Sequence, residues 1–181
     1  LLSVTANPQS KVYGAADPKL TYSFSGLVNG DTSAVFVGAL TRDPGQNVGN
    51  YAITQGTLSA GGNYAISFTG ANFAITPATL TYVATSVNRT YGSANPALGG
   101  TVTGFVNGDT LASATSGTLS FTTSATASSN VGSYAIDGSG LTANNGNYVF
   151  VQAANNATAL KINPATLTYV ATAGTIDQGS P

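Results

Sequence analysis

The chain has 181 residues and a formal net charge of −1, and only 6% of its residues are charged. It contains no His, Cys or Glu, which removes the usual general bases, thiol nucleophiles and zinc ligands, so we expect no catalytic site, no metal centre and no cofactor. The few basic residues are scattered and no run of about 20 apolar residues occurs, so we expect no nucleic-acid partner and no membrane insertion by this segment.

Strands are predicted along the first part of the chain by apolar residues that recur with a period of two. In the first of these strands, Leu2, Val4 and Ala6 alternate with polar residues. The others are predicted at residues 20–24, 51–53, 64–68 and 73–75. This pattern is typical of antiparallel sheets that bury one face and expose the other to water.

One short helix is predicted after the turn Asn29-Gly30-Asp31-Thr32, where we expect Asp31 to cap one or two helical turns through about Phe36. A metal site would need several further oxygen ligands nearby, and no Asp-rich loop occurs. We therefore interpret Asp31 as a capping or turn residue.

An internal repeat organises the whole chain. The segment 13–18 returns at 91–96, and the segment 26–32 returns at 104–110 with the same offset. The second copy again predicts a capped helix, from Asp109 through about Ala114. The recurring residues that we expect to have structural roles are, in pairs, Tyr13 and Tyr91, Gly14 and Gly92, Pro18 and Pro96, Asn29 and Asn107, Gly30 and Gly108, Asp31 and Asp109, Tyr51 and Tyr134, and Pro77 and Pro164.

The offset between the copies grows only in two stretches rich in Ser, Thr, Ala and Asn, at 122–129 and 153–158, which predicts surface loops there. The predicted domains are repeat one at 1–76, repeat two at 77–163, and the truncated start of a third repeat at 164–181. In that third repeat, Leu167, Tyr169 and Ala171 take the places of the first strand.

Repeat two departs from repeat one at Gly99-Gly100, where repeat one has Thr21-Tyr22. Glycine inside a strand offers no side chain to pack and often marks a bulge. We therefore expect this strand of repeat two to be bulged or frayed.

The joint between the repeats is predicted to be stiff. Only four residues separate Ile75, at the end of the last strand of repeat one, from Leu80, near the start of the first strand of repeat two. Pro77 fixes its own φ and restricts Thr76 to extended geometry. A domain of this size buries only somewhat over ~60% of its unfolded surface, so contact with neighbouring repeats of the same chain would stabilise it.

These motifs, in this order, resemble the MBG-type repeats of bacterial surface proteins, including filamentous-haemagglutinin-like adhesins. The likeness is carried by the Tyr-Gly signature at Tyr13 and Tyr91, the Asn-Gly-Asp-Thr turn, the Val-Gly-x-Tyr-Ala-Ile strand, and strands that end in Ile-x-Pro-Ala. It implies a mainly β, β-grasp-like module with one short helix, no catalytic residues and a place outside the bacterial cell, on its surface or secreted. From the strands alone, an immunoglobulin-like β-sandwich stays open as the alternative fold, and the capped helix favours the β-grasp.

Three functions are compatible with these features. The first is a non-catalytic stalk in a large secreted or surface-attached adhesin. The second is a module that binds a polysaccharide or host glycan, which two or more exposed Tyr or Phe rings on one face of each repeat would favour. The third is an accessory domain of a secreted carbohydrate-active enzyme. For Tyr13 and Tyr91 we expect a ring in the core with its hydroxyl bonded to backbone, rather than a ring that stacks on sugar.

Overall fold

The computed structural model describes residues 1–174 and 178–179. Repeat one contains β1 (Leu2–Ala6), β2 (Gln9–Val12), β3 (Tyr22–Ser25), β4 (Thr41–Arg42), β5 (Gly49–Thr54), β6 (Ile66–Thr69) and β7 (Ala71–Thr76). Repeat two contains β8 (Ala78–Ala84), β9 (Val87–Thr90), β10 (Gly100–Thr103), α1 (Leu111–Ala114), β11 (Thr115–Thr122), β12 (Gly132–Tyr134), β13 (Asp137–Ala143), β14 (Tyr148–Gln152) and β15 (Leu160–Asn163). The prediction of a mainly β chain is confirmed.

The strands form the same two mixed sheets in each repeat. Repeat one has the orders β3-β1-β6 and β2-β7-β5-β4, and repeat two has β10-β8-β14 and β12-β15-β9, with an added pair β11-β13. The first strand of each repeat is the middle strand of its sheet. It has an antiparallel neighbour on one side and a parallel neighbour on the other.

The prediction of antiparallel sheets is therefore wrong for four strand pairs. β1 with β6, β2 with β7, β8 with β14, and β9 with β15 are parallel. A parallel neighbour requires a long crossover instead of a hairpin, and here the body of each repeat supplies it. The period-two pattern reports which face of a strand is buried, and it carries no information about the direction of the neighbouring strand.

Burial follows the predicted alternation along the first strand of each repeat, but the prediction is wrong for β3, where Phe24 of the predicted buried face is 40% exposed. Along β1, Leu2, Val4 and Ala6 are buried and the residues between them are exposed. Along β8, Leu80 and Tyr82 are likewise at most 4% exposed. Since period-two alternation is a local property of the chain, it predicted these strands correctly.

The short helix lies where it was predicted, but the predicted cap is wrong. In repeat two, Thr110 caps α1: its Oγ1 accepts from the Ser113 backbone N–H at 3.2 Å, and Ser113 Oγ accepts from the Thr110 N–H at 2.9 Å. This is a capping box of two hydroxyl side chains. In repeat one the helix is reduced to a single 3-10 turn, Ser33–Val35, with Thr32 as its cap. The Asp31 and Asp109 carboxylates bind tyrosine hydroxyl groups instead.

The predicted bulge at Gly99-Gly100 is also wrong. Gly100 pairs with Ala84 in regular register, and β10 begins at the position equivalent to the start of β3. A Cβ at Gly100 would overlap the Val83 carbonyl and the ring of Phe121. The space that Tyr22 fills in repeat one is thus taken by a ring from β11 in repeat two.

The two stretches of extra residues behave differently. Residues 123–131 contain no strand, as expected of a loop, but Ala125 among them is 5% exposed and packs in the core of repeat two, so this loop does not lie wholly on the surface. In contrast, Ala154–Thr158 is a 3-10 turn whose Asn156 is only 1% exposed. The prediction of a surface loop at 153–158 is therefore wrong at its centre, because the buried Asn156 amide binds the chain around it.

The strand predicted for the third repeat does not form at 164–174. Leu167, Tyr169 and Val170 are 81%, 93% and 86% exposed, and Pro164 and Ala171 are exposed as well. In repeats one and two the first strand is paired on both sides by strands from later in the same repeat, and the described residues after 172 contain no strand. Residues 175–177 and 180–181 of the predicted third repeat lie outside the described residues.

Candidate functional site at the joint between repeats

The covalent joint is one residue long. β7 ends at Thr76 and β8 begins at Ala78, so Pro77 alone separates two paired strands. Thr76 pairs with Val12 of repeat one, and the Ala78 N–H donates to the Asn147 carbonyl of repeat two at 3.0 Å. Both sides of Pro77 are therefore held by backbone hydrogen bonds.

Tyr13 reaches from repeat one into repeat two. It follows β2, and its backbone N–H donates to the Thr76 carbonyl at 2.8 Å, beside the covalent joint. Its hydroxyl donates to Asp109 Oδ2 at 3.0 Å, and its ring meets the edge of Tyr148 with centroids 5.3 Å apart. The side chain is 8% exposed. Tyr13 is buried as predicted, but the predicted hydroxyl partner in the backbone is wrong, because the acceptor is a carboxylate of the other repeat.

Asp109 is placed by a tight turn. Asn107 and Gly108 have φ of 57° and 74°, left-handed values that Asn and Gly accept most readily. The Asp109 N–H donates to the Val106 carbonyl at 2.9 Å, which closes the turn and aims the carboxylate at the joint. Besides Tyr13, the carboxylate accepts from the Tyr148 hydroxyl at 2.8 Å. The Asn-Gly-Asp turn that the sequence predicted is present here, and it presents an acceptor for two tyrosines.

Tyr148 is the centre of this contact. Its hydroxyl accepts from the Val106 N–H at 3.1 Å and donates to Asp109. Burial of the ring, followed by the hydrogen bond to the Asp109 carboxylate, raises the pKa of Tyr148 to about 12. The phenol is therefore protonated over the whole physiological pH range and stays a donor. Hydrogen bonds to a charged acceptor are roughly twice as strong as neutral ones.

Gly14 lets the Val106 side chain of repeat two lie against the backbone of repeat one. Its φ of 83° is in the left-handed region, and a Cβ there would overlap Val106 Cγ2 and Cβ of repeat two. Glycine at this position thus satisfies two requirements, a backbone conformation and a close contact across the joint. In the Tyr13-Gly14 pair, the tyrosine contacts Asp109 and Tyr148, and the glycine leaves space for the Val106 side chain.

A second polar contact lies beside the first. Asn147 Oδ1 accepts from the Val48 N–H at 2.9 Å, and Asn147 Nδ2 donates to Asn47 Oδ1 at 3.0 Å. The Asn147 side chain is 5% exposed. One amide from repeat two therefore satisfies both a backbone donor and a side-chain acceptor of repeat one, which fixes the rotation of one repeat against the other.

The remaining predicted residues of the first signature hold repeat one together internally. Asp17, next to Pro18, binds Lys11 Nζ at 2.7 Å and Arg42 Nε at 2.6 Å. These two hydrogen bonds, Arg42 first, lower the pKa of Asp17 to about 2. The Arg42 guanidinium also lies 4.9 Å from the ring centroid of Phe73, a cation–π contact.

Repeat two builds the same loop with a neutral partner. Arg89 takes the place of Lys11, and its Nε donates to Asn95 Oδ1 at 2.8 Å, next to Pro96. Asn95 Nδ2 in turn donates to the Ala125 carbonyl at 2.6 Å. An ion pair in one repeat and an amide in the other thus close the same turn.

Tyr51 and Tyr134 have identical roles in the two repeats. Their hydroxyls donate to the carbonyls of Asn47 and Asn130 at 2.7 Å and 2.8 Å. Tyr91, by contrast, is 46% exposed, so the prediction that its ring lies in the core is wrong. Tyr13 is buried only because a second repeat covers it, and no described part of the chain covers Tyr91.

Asp109 was predicted from the sequence to have a structural role, but the other residues of repeat two at the Tyr13 contact were not. Asn147 and Tyr148 recur in repeat one as Asn63 and Tyr64, a pair that the repeat comparison detects. Recurrence alone did not reveal their function, because Asn147 and Tyr148 contact residues of repeat one that lie at non-equivalent positions of the repeat, such as Val48 and Tyr13. Val106 lies in the recurring segment 104–110, but recurrence alone did not indicate that it contacts Gly14 across the joint.

The described residues contain no cluster of three or more Asp, Glu, His or Cys that could bind a metal ion. Within the same residues, no helix has the length and apolar character required to cross a bilayer. The site at the joint is one of side-chain packing and hydrogen bonding between two copies of a β-rich unit.

These features define a tandem β-repeat protein whose two units are joined by a one-residue linker and a tyrosine–aspartate contact. The chain belongs to the family of MBG domains of the YGX type, whose model matches it over residues 2–74 and 80–158. Searches of curated proteins and of solved structures found no match.

Proposed function

We propose that this chain is a non-catalytic spacer, part of the stalk of a large bacterial adhesin that is secreted or attached to the cell surface. The observation that carries the proposal is the joint itself, where Tyr13 of repeat one is clamped between Asp109 and Tyr148 of repeat two. A repeat that inserts an aromatic ring into its neighbour holds a fixed orientation, and a row of such repeats keeps its two ends apart.

Packing across the joint supports a stiff connection. A single cluster of buried apolar residues runs from repeat one, through Ile75 and Ala78, to Leu80 and Tyr148 of repeat two. Bending at the joint would expose part of this cluster to water, at roughly 25 cal/mol for each Å² uncovered. The hydrogen bonds on either side of Pro77 oppose the same motion.

Membership of the family supports the repeat module, and the location outside the cell rests on the resemblance to surface proteins. The composition fits both, since solubility here depends on Thr, Ser, Asn and Gly rather than on charge. The mixed sheets favour the β-grasp-like module over an immunoglobulin-like sandwich, which is built from two antiparallel sheets. Antibodies against the chain should label intact, unpermeabilised cells of the bacterium that encodes it.

Small-angle X-ray scattering tests the stiffness directly. The native chain is compared with a variant that carries Gly-Ser-Gly-Ser inserted between Thr76 and Pro77. We expect the pair-distance distribution within the native chain to fit one rigid arrangement of the two repeats. The distribution of the variant should be broader, because the insertion separates β7 from β8.

A matched control carries the same tetrapeptide between Gly61 and Gly62, in an exposed loop of repeat one where neither glycine has a neighbouring atom within 4 Å of its Cβ position. This control should scatter like the native chain. A native chain already as flexible as the joint variant would refute the stalk.

Glycan binding is the second candidate, and one observation favours it. Tyr22, Phe24 and Phe36 form an aromatic cluster on repeat one, with the Phe24 and Phe36 centroids 4.9 Å apart and Phe24 40% exposed. Exposed aromatic rings can stack on sugars. The equivalent positions of repeat two, however, are Gly100, Val102 and Ala114, so the surface is confined to one repeat.

Binding to a glycan array separates this second candidate from the first. If repeat one binds a glycan, a Phe24→Ala variant should lose the signal, and a Val102→Ala variant at the matching position of repeat two should keep it. A native chain that binds no glycan would remove this second candidate.

A further inference from the structure

The end of repeat two that faces away from repeat one carries an unused copy of the joint. We infer that Tyr91 and Gly92 are a docking element for a following copy of this repeat, which would receive them as repeat two receives Tyr13 and Gly14. The inference rests on the proposed stalk and deepens it, since it assigns the contacts and the direction in which repeats assemble.

The docking element is already in its bound geometry. Gly92 has a φ of 85°, against 83° for Gly14. The Tyr91 N–H donates to the Asn163 carbonyl at 2.8 Å, just as the Tyr13 N–H donates to Thr76. The backbone at Tyr91 is therefore fixed before any partner arrives, and binding would not have to order it.

The pair Tyr91 and Gly92 differs from the pair Tyr13 and Gly14 in how far neighbouring residues cover it. Tyr13 is 8% exposed and Tyr91 is 46% exposed. A Cβ at Gly14 would collide with Val106, whereas a Cβ at Gly92 would meet no atom within 4 Å. Val131, the counterpart of Val48, is likewise 51% exposed.

The opposite end of the chain carries an unused receiving site. The Tyr64 hydroxyl donates to Asp31 Oδ2 at 2.7 Å and accepts from the Val28 N–H at 3.1 Å, the arrangement that Tyr148, Asp109 and Val106 have at the joint. Val28 is 58% exposed and Asn63 is exposed. Each repeat thus presents a docking element at one end and a receiving site at the other.

A copy of the same repeat fits this surface for two reasons. The joint between repeats one and two shows the complete contact. In addition, residues 164–172 repeat the sequence of residues 77–85 without a change, so the chain leaves β15 as it leaves β7. A third repeat that continues from this segment would start beside Tyr91, as repeat two starts beside Tyr13.

The test extends the chain by one repeat. Because 164–172 and 77–85 are identical, residues 1–172 followed by residues 86–163 give a third copy with the native joint. Tyrosine nitration, located by mass spectrometry, is compared between this extended chain and the original.

In the original chain Tyr91 and Tyr169 should be nitrated and Tyr13 should not. In the extended chain Tyr169 becomes the counterpart of buried Tyr82, so its protection reports that the third copy has folded. We expect protection of Tyr91 as well, and a Gly92→Ala variant of the extended chain should restore its nitration while Tyr169 stays protected.

Nitration of Tyr91 with Tyr169 protected would overturn the inference, since the third copy would then be folded and undocked. If Tyr169 stays reactive, a second extended chain, residues 1–166 followed by residues 2–76, places the Asp31 receiving site after Tyr91. The inference would also be overturned if Tyr91 is still reactive in that chain while circular dichroism shows that the appended copy of repeat one has folded. Neither result bears on the stiffness of the first joint, which the scattering experiment measures separately.

Discussion

A left-handed glycine recurs at the same place in both repeats, and the two copies differ only in what lies next to them. Gly14 touches Val106 across the joint, whereas Gly92 faces open space. The pair therefore separates the conformational requirement for glycine from the packing requirement. Few single residues offer such an internal control.

Alanine at these two positions should have unequal effects. In Gly92→Ala, the left-handed backbone alone should lower the free energy of unfolding by about 1–2 kcal/mol. In Gly14→Ala, the overlap with Val106 should add about 1–3 kcal/mol, the usual range for overpacking. Denaturant unfolding of both variants measures the difference, and equal losses would contradict a tight joint.

The joint should also weaken at alkaline pH. The pKa of Tyr148 is raised from its ordinary 10.0 to about 12, chiefly by burial. Its contribution to stability is therefore complete below pH 10 and is lost as the pH rises toward 12. The free energy of unfolding, followed by far-ultraviolet circular dichroism between pH 9 and pH 12, should fall over this window.

The same fall should be much smaller in a Tyr148→Phe variant, which has no phenol to ionise there. The matched variant is Tyr169→Phe, since Tyr169 is 93% exposed. That variant should retain the fall. An identical pH profile for Tyr148→Phe and the native chain would show that another group is responsible.

At the scale of the element, Asn156 turns a stretch of inserted residues into part of the core. Its Oδ1 accepts from the Ala84 N–H at 2.8 Å, and its Nδ2 donates to the Tyr82 carbonyl at 3.0 Å and to Gln152 Oε1 at 2.9 Å. The 3-10 turn Ala154–Thr158 is thereby attached to the end of β8. An amide side chain completes the hydrogen bonding of the strand where no further strand is present.

Removal of this amide should be costly. In Asn156→Ala, the Ala84 N–H is left buried without this acceptor, whereas the Tyr82 carbonyl keeps the Ala153 N–H and Gln152 Oε1 keeps the Gly138 N–H. A loss of about 1–3 kcal/mol is therefore expected in thermal or denaturant unfolding. Asn155→Ala, one residue earlier and exposed, is the control and should leave stability nearly unchanged. Similar losses for the two variants would mean that the buried amide of Asn156 does not set the effect.

Elements were predictable from the sequence where their cause is local. The alternation of Leu2, Val4 and Ala6 predicted β1, and the Asn-Gly pair predicted the turn before Asp31. Thr32 and Thr110 cap the helices because they lie one residue closer to the first helical residue than the aspartates do. Each Asp instead binds a tyrosine that lies far along the chain. Such a partner is set by sheet order, which the apolar pattern does not encode.

The candidate site was predictable only in part for the same reason. Repetition marked Tyr13, Gly14 and Asp109 as structurally important, and Pro77 marked the joint. That Tyr13 binds Asp109, rather than anything in its own repeat, depends on how two folded repeats meet. The exposed Tyr91 could not have been distinguished from Tyr13 by sequence, since the two occupy equivalent positions.

At the scale of the whole molecule, the shared apolar cluster should make the two repeats unfold together. We expect the calorimetric and van't Hoff enthalpies of the native chain to agree, as in a two-state transition. In the variant with Gly-Ser-Gly-Ser before Pro77 the repeats should unfold separately, and the ratio of calorimetric to van't Hoff enthalpy should rise toward about 2. A ratio that the insertion leaves at one would mean that the joint does not couple the repeats.

Asp109 is the one charged side chain among the described residues that meet at the joint, and its partners there are two neutral phenols. Within the described part of the chain, the ion pairs are those of Asp17, inside repeat one. Dissolved salt weakens attraction between exposed opposite charges over a distance of about 8 Å at physiological ionic strength, but it acts little on buried hydrogen bonds and apolar contacts. The spacing between repeats should therefore be the same in fresh water and in brine, as a spacer in the proposed location outside the cell would require, since the cell does not control the ionic strength there.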